Sequence, residues 1–308
     1  MEKLKFTDPL LTATGEARAI VPLTQLRTIW FNTGSLCNIT CKNCFMKSSP
    51  TNDDLSYLSF SQVLAYLDEI AAENLPVEEV AFTGGEPFMN AEFLDMVSES
   101  LARGFRVLVL TNAMKPLLLR RKQLCRIKEQ YGDSLVLRVS IDHYTRKGHE
   151  EIRGKDSWEP MMEGLQWLST NSFNLDVAGR TCWNETEKQA RAGYGRLFRS
   201  HKVRIDENDP RKLVLFPEMD ITKDVPEISA GCWGVLGVDP ETMMCASSRM
   251  VVQKKNALSS VIVPCTLLPY EEEFELGSSL AGSIKDVPLN HPHCAKFCVL
   301  GGGSCSPS

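Results

Sequence analysis

The stretch Arg27-Thr-Ile-Trp-Phe31-Asn-Thr-Gly-Ser-Leu-Cys37-Asn-Ile-Thr-Cys41-Lys-Asn-Cys44 sets an apolar strand directly in front of three closely spaced thiols. Outward from it, strand-like and helix-like segments alternate between residues 27 and 217. Strands are expected at 27–31, 79–83, 106–111, 135–142, 175–180 and 213–216. Ser59 or Ser61 can cap a helix in which Val63, Leu67 and Ile70 share one face. Further helices are expected through Phe93, Val97 and Leu101 to Gly104, over 116–131 to Gly132, over 158–169, and over about 185–199. Such alternation implies parallel strands joined by crossover helices. Six βα units fall short of the eight that close a barrel. The expected fold is therefore α/β, a partial (β/α)6 TIM-like barrel followed by a small Cys-rich C-terminal domain. The chain divides into an N-terminal extension (1–25), the partial barrel (26–220) and the Cys-rich segment (221–308), where Pro, Gly and Cys become frequent.

Composition narrows the class. The 308 residues are 43% hydrophobic and 24% charged, which excludes a disordered or collagen-like chain. A net charge of −5 argues against general affinity for nucleic acid or anionic lipid. No apolar run approaches a membrane span, and the N-terminus has no continuous apolar core of a secretory signal. A cytoplasmic location is expected. There the 11 cysteines, an odd number, point to metal or redox chemistry rather than to disulfides.

Three thiolates spaced x3 and x2 on one loop can converge on a single iron–sulfur cluster and leave one iron of a 4Fe–4S cube open. A zinc knuckle lacking its fourth ligand is the alternative, and no histidine lies nearby to complete it. A second motif, Thr83-Gly84-Gly85-Glu86-Pro87, closes the second strand, and its glycines let backbone approach a ligand. Together the two motifs resemble the radical S-adenosylmethionine (radical SAM) superfamily. The resemblance implies that Cys37, Cys41 and Cys44 hold three irons and that the amino and carboxylate groups of S-adenosylmethionine chelate the fourth. It further implies that Thr83, Gly84, Gly85 and Glu86 receive the methionine amino group and that Ser140 and Asp142 lie near the ribose and carboxylate. Arg153 would pair with the cofactor carboxylate, and Thr111 and Asn112 would line the site. The chain departs from the family at Asn43, where an aromatic residue often precedes the third cysteine.

The tail, Cys294-x3-Cys298-x6-Cys305 preceded by Cys245 and Cys265, resembles the SPASM or twitch modules that carry auxiliary 4Fe–4S clusters. One auxiliary cluster held by Cys245, Cys265, Cys294 and Cys298 is expected, with Cys305 and Cys232 in reserve. A four-thiolate zinc site is the alternative. His291 and His293 read as surface or supporting groups rather than ligands. The expected activity is an oxidoreductase-type radical SAM reaction: reductive cleavage of S-adenosylmethionine and hydrogen abstraction, with oxidative modification of a peptide favoured. The alternatives are a small-molecule dehydrogenase or rearrangement enzyme, and a non-catalytic iron–sulfur carrier or zinc-stabilised binding protein. A flavodoxin- or ferredoxin-type reductant would be its partner.

Overall fold

The computed structural model describes residues 4–218, 220 and 222–303. In chain order the elements are β1 (Ile20–Val21), β2 (Thr28–Asn32), α1 (Phe60–Ala72), β3 (Glu79–Thr83), α2 (Phe93–Ala102), β4 (Arg106–Thr111), α3 (Lys115–Leu119) and α4 (Arg121–Tyr131). They continue as β5 (Leu135–Ser140), α5 (Arg146–Arg153), α6 (Trp158–Thr170), β6 (Asn174–Arg180), α7 (Glu187–Ser200), β7 (Leu213–Phe216), α8 (Cys232–Leu236), β8 (Ser248–Val252), β9 (Val261–Val263) and β10 (Val287–Pro288).

Strands β2 to β7 are the six expected ones, each parallel to the next. The sheet runs β7-β6-β5-β4-β3-β2-β8-β9, with β7 and β9 at its two edges, so it forms an open partial barrel. Its strands are buried on both faces and alternate between two cores. Ile29, Phe31, Val80, Phe82, Val107 and Val109 pack under the helices, within one apolar cluster. Trp30, Ala81, Leu108 and Val136 point to the other face and join Met250, Val263, Cys245, Cys265 and Cys294 from the tail. The tail thus fills the inner face that six strands alone leave uncovered.

Local signals explain the element ends. Ser59 caps α1 with a reciprocal capping box to Gln62, and Thr186 does the same for α7 with Gln189. Three features differ from expectation. The helix expected over 116–131 is two helices, because the Arg120 N–H bonds to Leu117 O, a tighter turn that ends α3 before α4 begins. Helix α5 was not anticipated: its sequence RKGHEEIR is mostly polar, and it rests on the Thr145 hydroxyl, which accepts from the Gly148 N–H. The tail strand β8 lies parallel to β2, with Thr28 opposite Ser248, so the main sheet continues past residue 220. At the N-terminal end, β1 pairs with β10, and buried Arg18 reaches the Glu227 carboxylate at 2.6 Å.

Candidate active site

The two sequence motifs meet at the carboxyl ends of β2 and β3 and are bonded to each other. The Thr33 N–H donates to Thr83 O (2.8 Å), the Gly85 N–H to Gly34 O (2.8 Å) and the Glu86 N–H to Leu36 O (3.1 Å). This lacing explains both glycines. Gly84 has φ +144, and a Cβ on Gly85 would stand 2.1 Å from Leu36 O. Asn43 occupies the left-handed region at φ 55. Asparagine tolerates that conformation better than an aromatic residue does, which gives a backbone reason for the departure at this position.

The cysteine loop forms one wall of a cavity at the mouth of the barrel. Cys37, Cys41, Cys44, Thr83, Gly84, Gly85, Thr111, Asn112, Ser140, Asp142 and Arg153 all line it. Every candidate residue for the first cluster and the nucleotide therefore converges there except Glu86. The Glu86 side chain turns away, is 1% exposed, and accepts from the Thr111 hydroxyl (2.8 Å), the Asn112 N–H (2.8 Å) and the Phe88 N–H (3.3 Å). It clamps the ends of β3 and β4 together, and burial pushes its carboxyl up to about 7. Asn112 reaches back to the loop through Asn38 Oδ1 at 2.8 Å.

Arg153 is already engaged within the protein. It donates to the Asp142 carboxylate through Nε (2.8 Å) and Nη2 (3.4 Å). Burial disfavours the Asp142 anion, but the Arg153 and Arg180 guanidiniums outweigh it and hold the carboxyl below the usual range. Arg180 ends β6 with Nε 3.5 Å from the same carboxylate and lines the cavity. The far wall is apolar: Leu110, Ala178, Phe216, Leu267 and Phe297. Arg180, Phe216 and Phe297 were not singled out from the sequence. A cation at the carboxyl end of a strand was the available signal for Arg180, since the carboxyl ends of barrel strands carry function.

The thiols suit a cluster. Burial pushes Cys37 up to about 12 and raises Cys41 above its ordinary value, so both are protonated until a metal displaces the proton. Three thiols and no fourth cysteine line the cavity among the described residues, which leaves room for an exogenous ligand. In the tail, Cys245, Cys265, Cys294 and Cys298 line a second, almost wholly apolar cavity with Met244, Leu268 and His293. Cys294 and Cys298 fall one turn apart on an irregular helix, Cys294–Val299. Burial pushes Cys245 up to about 11 and Cys294 up to about 12. No three His, Cys, Asp or Glu side chains among the described residues converge tightly enough for a single metal ion. Zinc would need four sulfurs about 2.3 Å from one point, whereas a cluster spreads its ligands over the corners of a cube. Cys232 lies outside the second cavity, with Sγ 3.5 Å from Ser229 Oγ, and Cys305 lies outside the described residues. Of the two placements expected for His291 and His293, surface or supporting, both rings are buried, and His293 lines the second cavity beside the cysteines.

Beside the first site, His149 is fully buried against Trp158, and neither ring nitrogen has a hydrogen-bond partner among the described residues. Burial, with the nearby Arg153 charge, pushes it down to about 3. Between that value and the ordinary ~6.5 of histidine, the unfolded chain binds a proton that the folded chain does not. Its contribution to stability is therefore present above pH ~6.5 and is lost as pH falls. His149→Phe is expected to reduce the acid-induced drop in Tm between pH 7.5 and 5 by the equivalent of about 2 kcal/mol. An unchanged drop would contradict the buried neutral ring.

Comparison with known proteins agrees with this geometry. Residues 31–181 match the model of the radical SAM superfamily. The subtilosin biosynthesis protein AlbA of Bacillus subtilis is 28% identical over 146 residues, 46% of this chain and 30% of that protein. The chain spans about a third of the length of the curated relatives it matches. Among solved structures, SuiB of Streptococcus suis bound to its precursor peptide SuiA superposes with a TM-score of 0.56 at 10% identity, over 87% of this chain and 66% of that one. The structure of anSMEcpe with bound S-adenosylmethionine gives 0.57 at 14% identity, over 88% and 82%. No helix among the described residues is long and apolar enough to cross a membrane. The matching family model lies over the thiol loop and glycine turn that build the cavity, so residues 31–181 carry the domain of the radical SAM superfamily, whose cofactors are a 4Fe–4S cluster and S-adenosylmethionine.

Proposed function

We propose that the chain oxidatively modifies a peptide, using a cluster at Cys37, Cys41 and Cys44 and an auxiliary 4Fe–4S cluster at Cys245, Cys265, Cys294 and Cys298. The observation that carries the reading is the hydrogen-bonded union of the thiol loop with the Thr83–Gly85 turn around one cavity. When bound, the cluster and S-adenosylmethionine supply a 5′-deoxyadenosyl radical that takes a hydrogen atom from the substrate. The chain's own residues orient and shield. Thr83, Gly84 and Gly85 offer backbone to the methionyl end, and Thr111 and Asn112 border it. Ser140 and Asp142 face the ribose and carboxylate region, with Asp142 fixed by Arg153. Glu86 serves as the clamp beneath the turn. Ile39, Leu110, Phe216, Leu267 and Phe297 exclude water from the reacting space.

Peptide modification is favoured because AlbA belongs to bacteriocin biosynthesis and SuiB binds a precursor peptide. The auxiliary site suits an oxidation, since hydrogen abstraction leaves an electron that must go elsewhere. Leu267 lines both cavities, so the two sites adjoin at an apolar side chain. A cytoplasmic location with a flavodoxin- or ferredoxin-type reductant completes the reading. Anaerobic reconstitution with iron and sulfide, followed by dithionite and S-adenosylmethionine, is expected to yield 5′-deoxyadenosine and about eight irons per chain. Zinc as the bound metal with no 5′-deoxyadenosine would overturn the proposal, and about four irons would remove the auxiliary cluster.

A further inference from the structure

We infer that Arg180 is a receptor for a substrate carboxylate, and that the substrate presents this carboxylate beside an apolar group. The inference rests on the enzymatic reading above and adds to it the chemical class of the substrate.

Arg180 is an unusual cation for its position. Its side chain is 11% exposed, yet it makes no hydrogen bond among the described residues. Its one close partner is Asp142 Oδ1, 3.5 Å from Nε. That carboxylate already receives two N–H groups from Arg153, the nearer at 2.8 Å. A guanidinium carries five N–H donors, and one removed from water with none of them used is costly. The end of β6 aims this group into the main cavity, where it is a lining residue. The remaining solvent for its donors is therefore whatever fills that cavity.

Charge and shape define the occupant. On this side of the cavity Arg153 and Arg180 share the Asp142 carboxylate, one anion against two guanidiniums, which leaves a local excess of positive charge. One carboxylate balances it, and the planar fork of a guanidinium matches a carboxylate in two parallel hydrogen bonds. Next to Arg180 the lining is apolar. Phe216 and Phe297 pair with ring centroids 5.3 Å apart, and Ala178 and Leu267 flank them. These groups stand on β6, β7 and the tail, whereas the thiol loop and glycine turn follow β2 and β3. Arg180 thus enters the cavity from the β6–β7 edge of the sheet, close enough for its charge to reach Cys41. In a peptide, the matching group is an Asp or Glu side chain or a terminal carboxylate next to an apolar side chain.

The cofactor's own carboxylate shares this chemistry, so the test separates the two sources. The probes are 3-phenylpropanoate and its neutral isostere 3-phenylpropanamide, titrated by calorimetry and saturation-transfer NMR into the reconstituted protein, with and without S-adenosylmethionine. The carboxylate is expected to bind at least about tenfold more tightly than the amide, as befits hydrogen bonds to a charged group. In Arg180→Gln the two probes should bind within about twofold of each other, and Arg180→Lys should restore part of the preference. A preference that survives in Arg180→Gln would overturn the inference. So would a tenfold loss of S-adenosylmethionine affinity in that variant with the probe preference intact, which would assign the guanidinium to the cofactor. Probe discrimination in a wild-type protein that forms no 5′-deoxyadenosine would uphold the carboxylate site and sink the proposed reaction, so the two failures are distinguishable.

Discussion

Cys41→Ala is expected to abolish 5′-deoxyadenosine formation while leaving about four irons per chain in the tail. Cys41 is the middle thiol of a loop whose three sulfurs share one cavity, and no other cysteine among the described residues lines it. The loss should be complete because two thiols cannot hold the cube and leave one iron open. The fold itself should persist. The loop is anchored by bonds that do not involve the thiol, among them the Cys37 N–H to Ser49 O (3.0 Å) and the Lys42 N–H to Ile152 O (2.7 Å). Iron counting and electron paramagnetic resonance of the reduced variant read the outcome. Equal loss of iron from both regions would contradict two separate sites.

Gly85→Ala is expected to be damaging out of proportion to one methyl group. Its Cβ would stand 2.1 Å from Leu36 O, 2.5 Å from Leu36 C and 2.7 Å from Ser35 O. These are backbone atoms, so no side-chain rotation relieves the clash. Either the turn or the loop carrying Cys37 must move, and the Gly85 N–H to Gly34 O bond is strained with it. Overpacking of this kind costs about 1–3 kcal/mol, occasionally more. We expect a lower Tm and loss of the loop's irons together. Gly234→Ala is the control: it lies in α8 and a Cβ there meets nothing within 4 Å. A Gly85→Ala variant with wild-type iron content and Tm would show that the turn does not brace the cluster loop.

The six parallel strands were legible because each is a short apolar run bounded by turn residues, and their ends fall within two residues of expectation. Helix α5 was hidden because eight mostly polar residues give no apolar periodicity, and it is held by the Thr145 cap. Strand β8 was hidden for another reason. Ser248–Val252 begins with Ser248 and Arg249 and holds only three apolar residues, and its partner β2 lies more than 200 residues earlier, so nothing local announces the pairing. Glu86 sits in a recognisable motif, yet only its three accepted hydrogen bonds reveal that it faces the protein.

By itself the sequence determined the thiol loop, the glycine turn and the β/α alternation, since spacing along the chain settles what neighbouring residues can do. Tertiary structure alone decided that Arg153 and Arg180 converge on Asp142, and that Cys245, Cys265, Cys294 and Cys298 share a cavity while Cys232 does not. The physical reason is the same in both cases. A buried charge or thiol is defined by what is packed against it, and parallel strands bring those neighbours from distant parts of the chain.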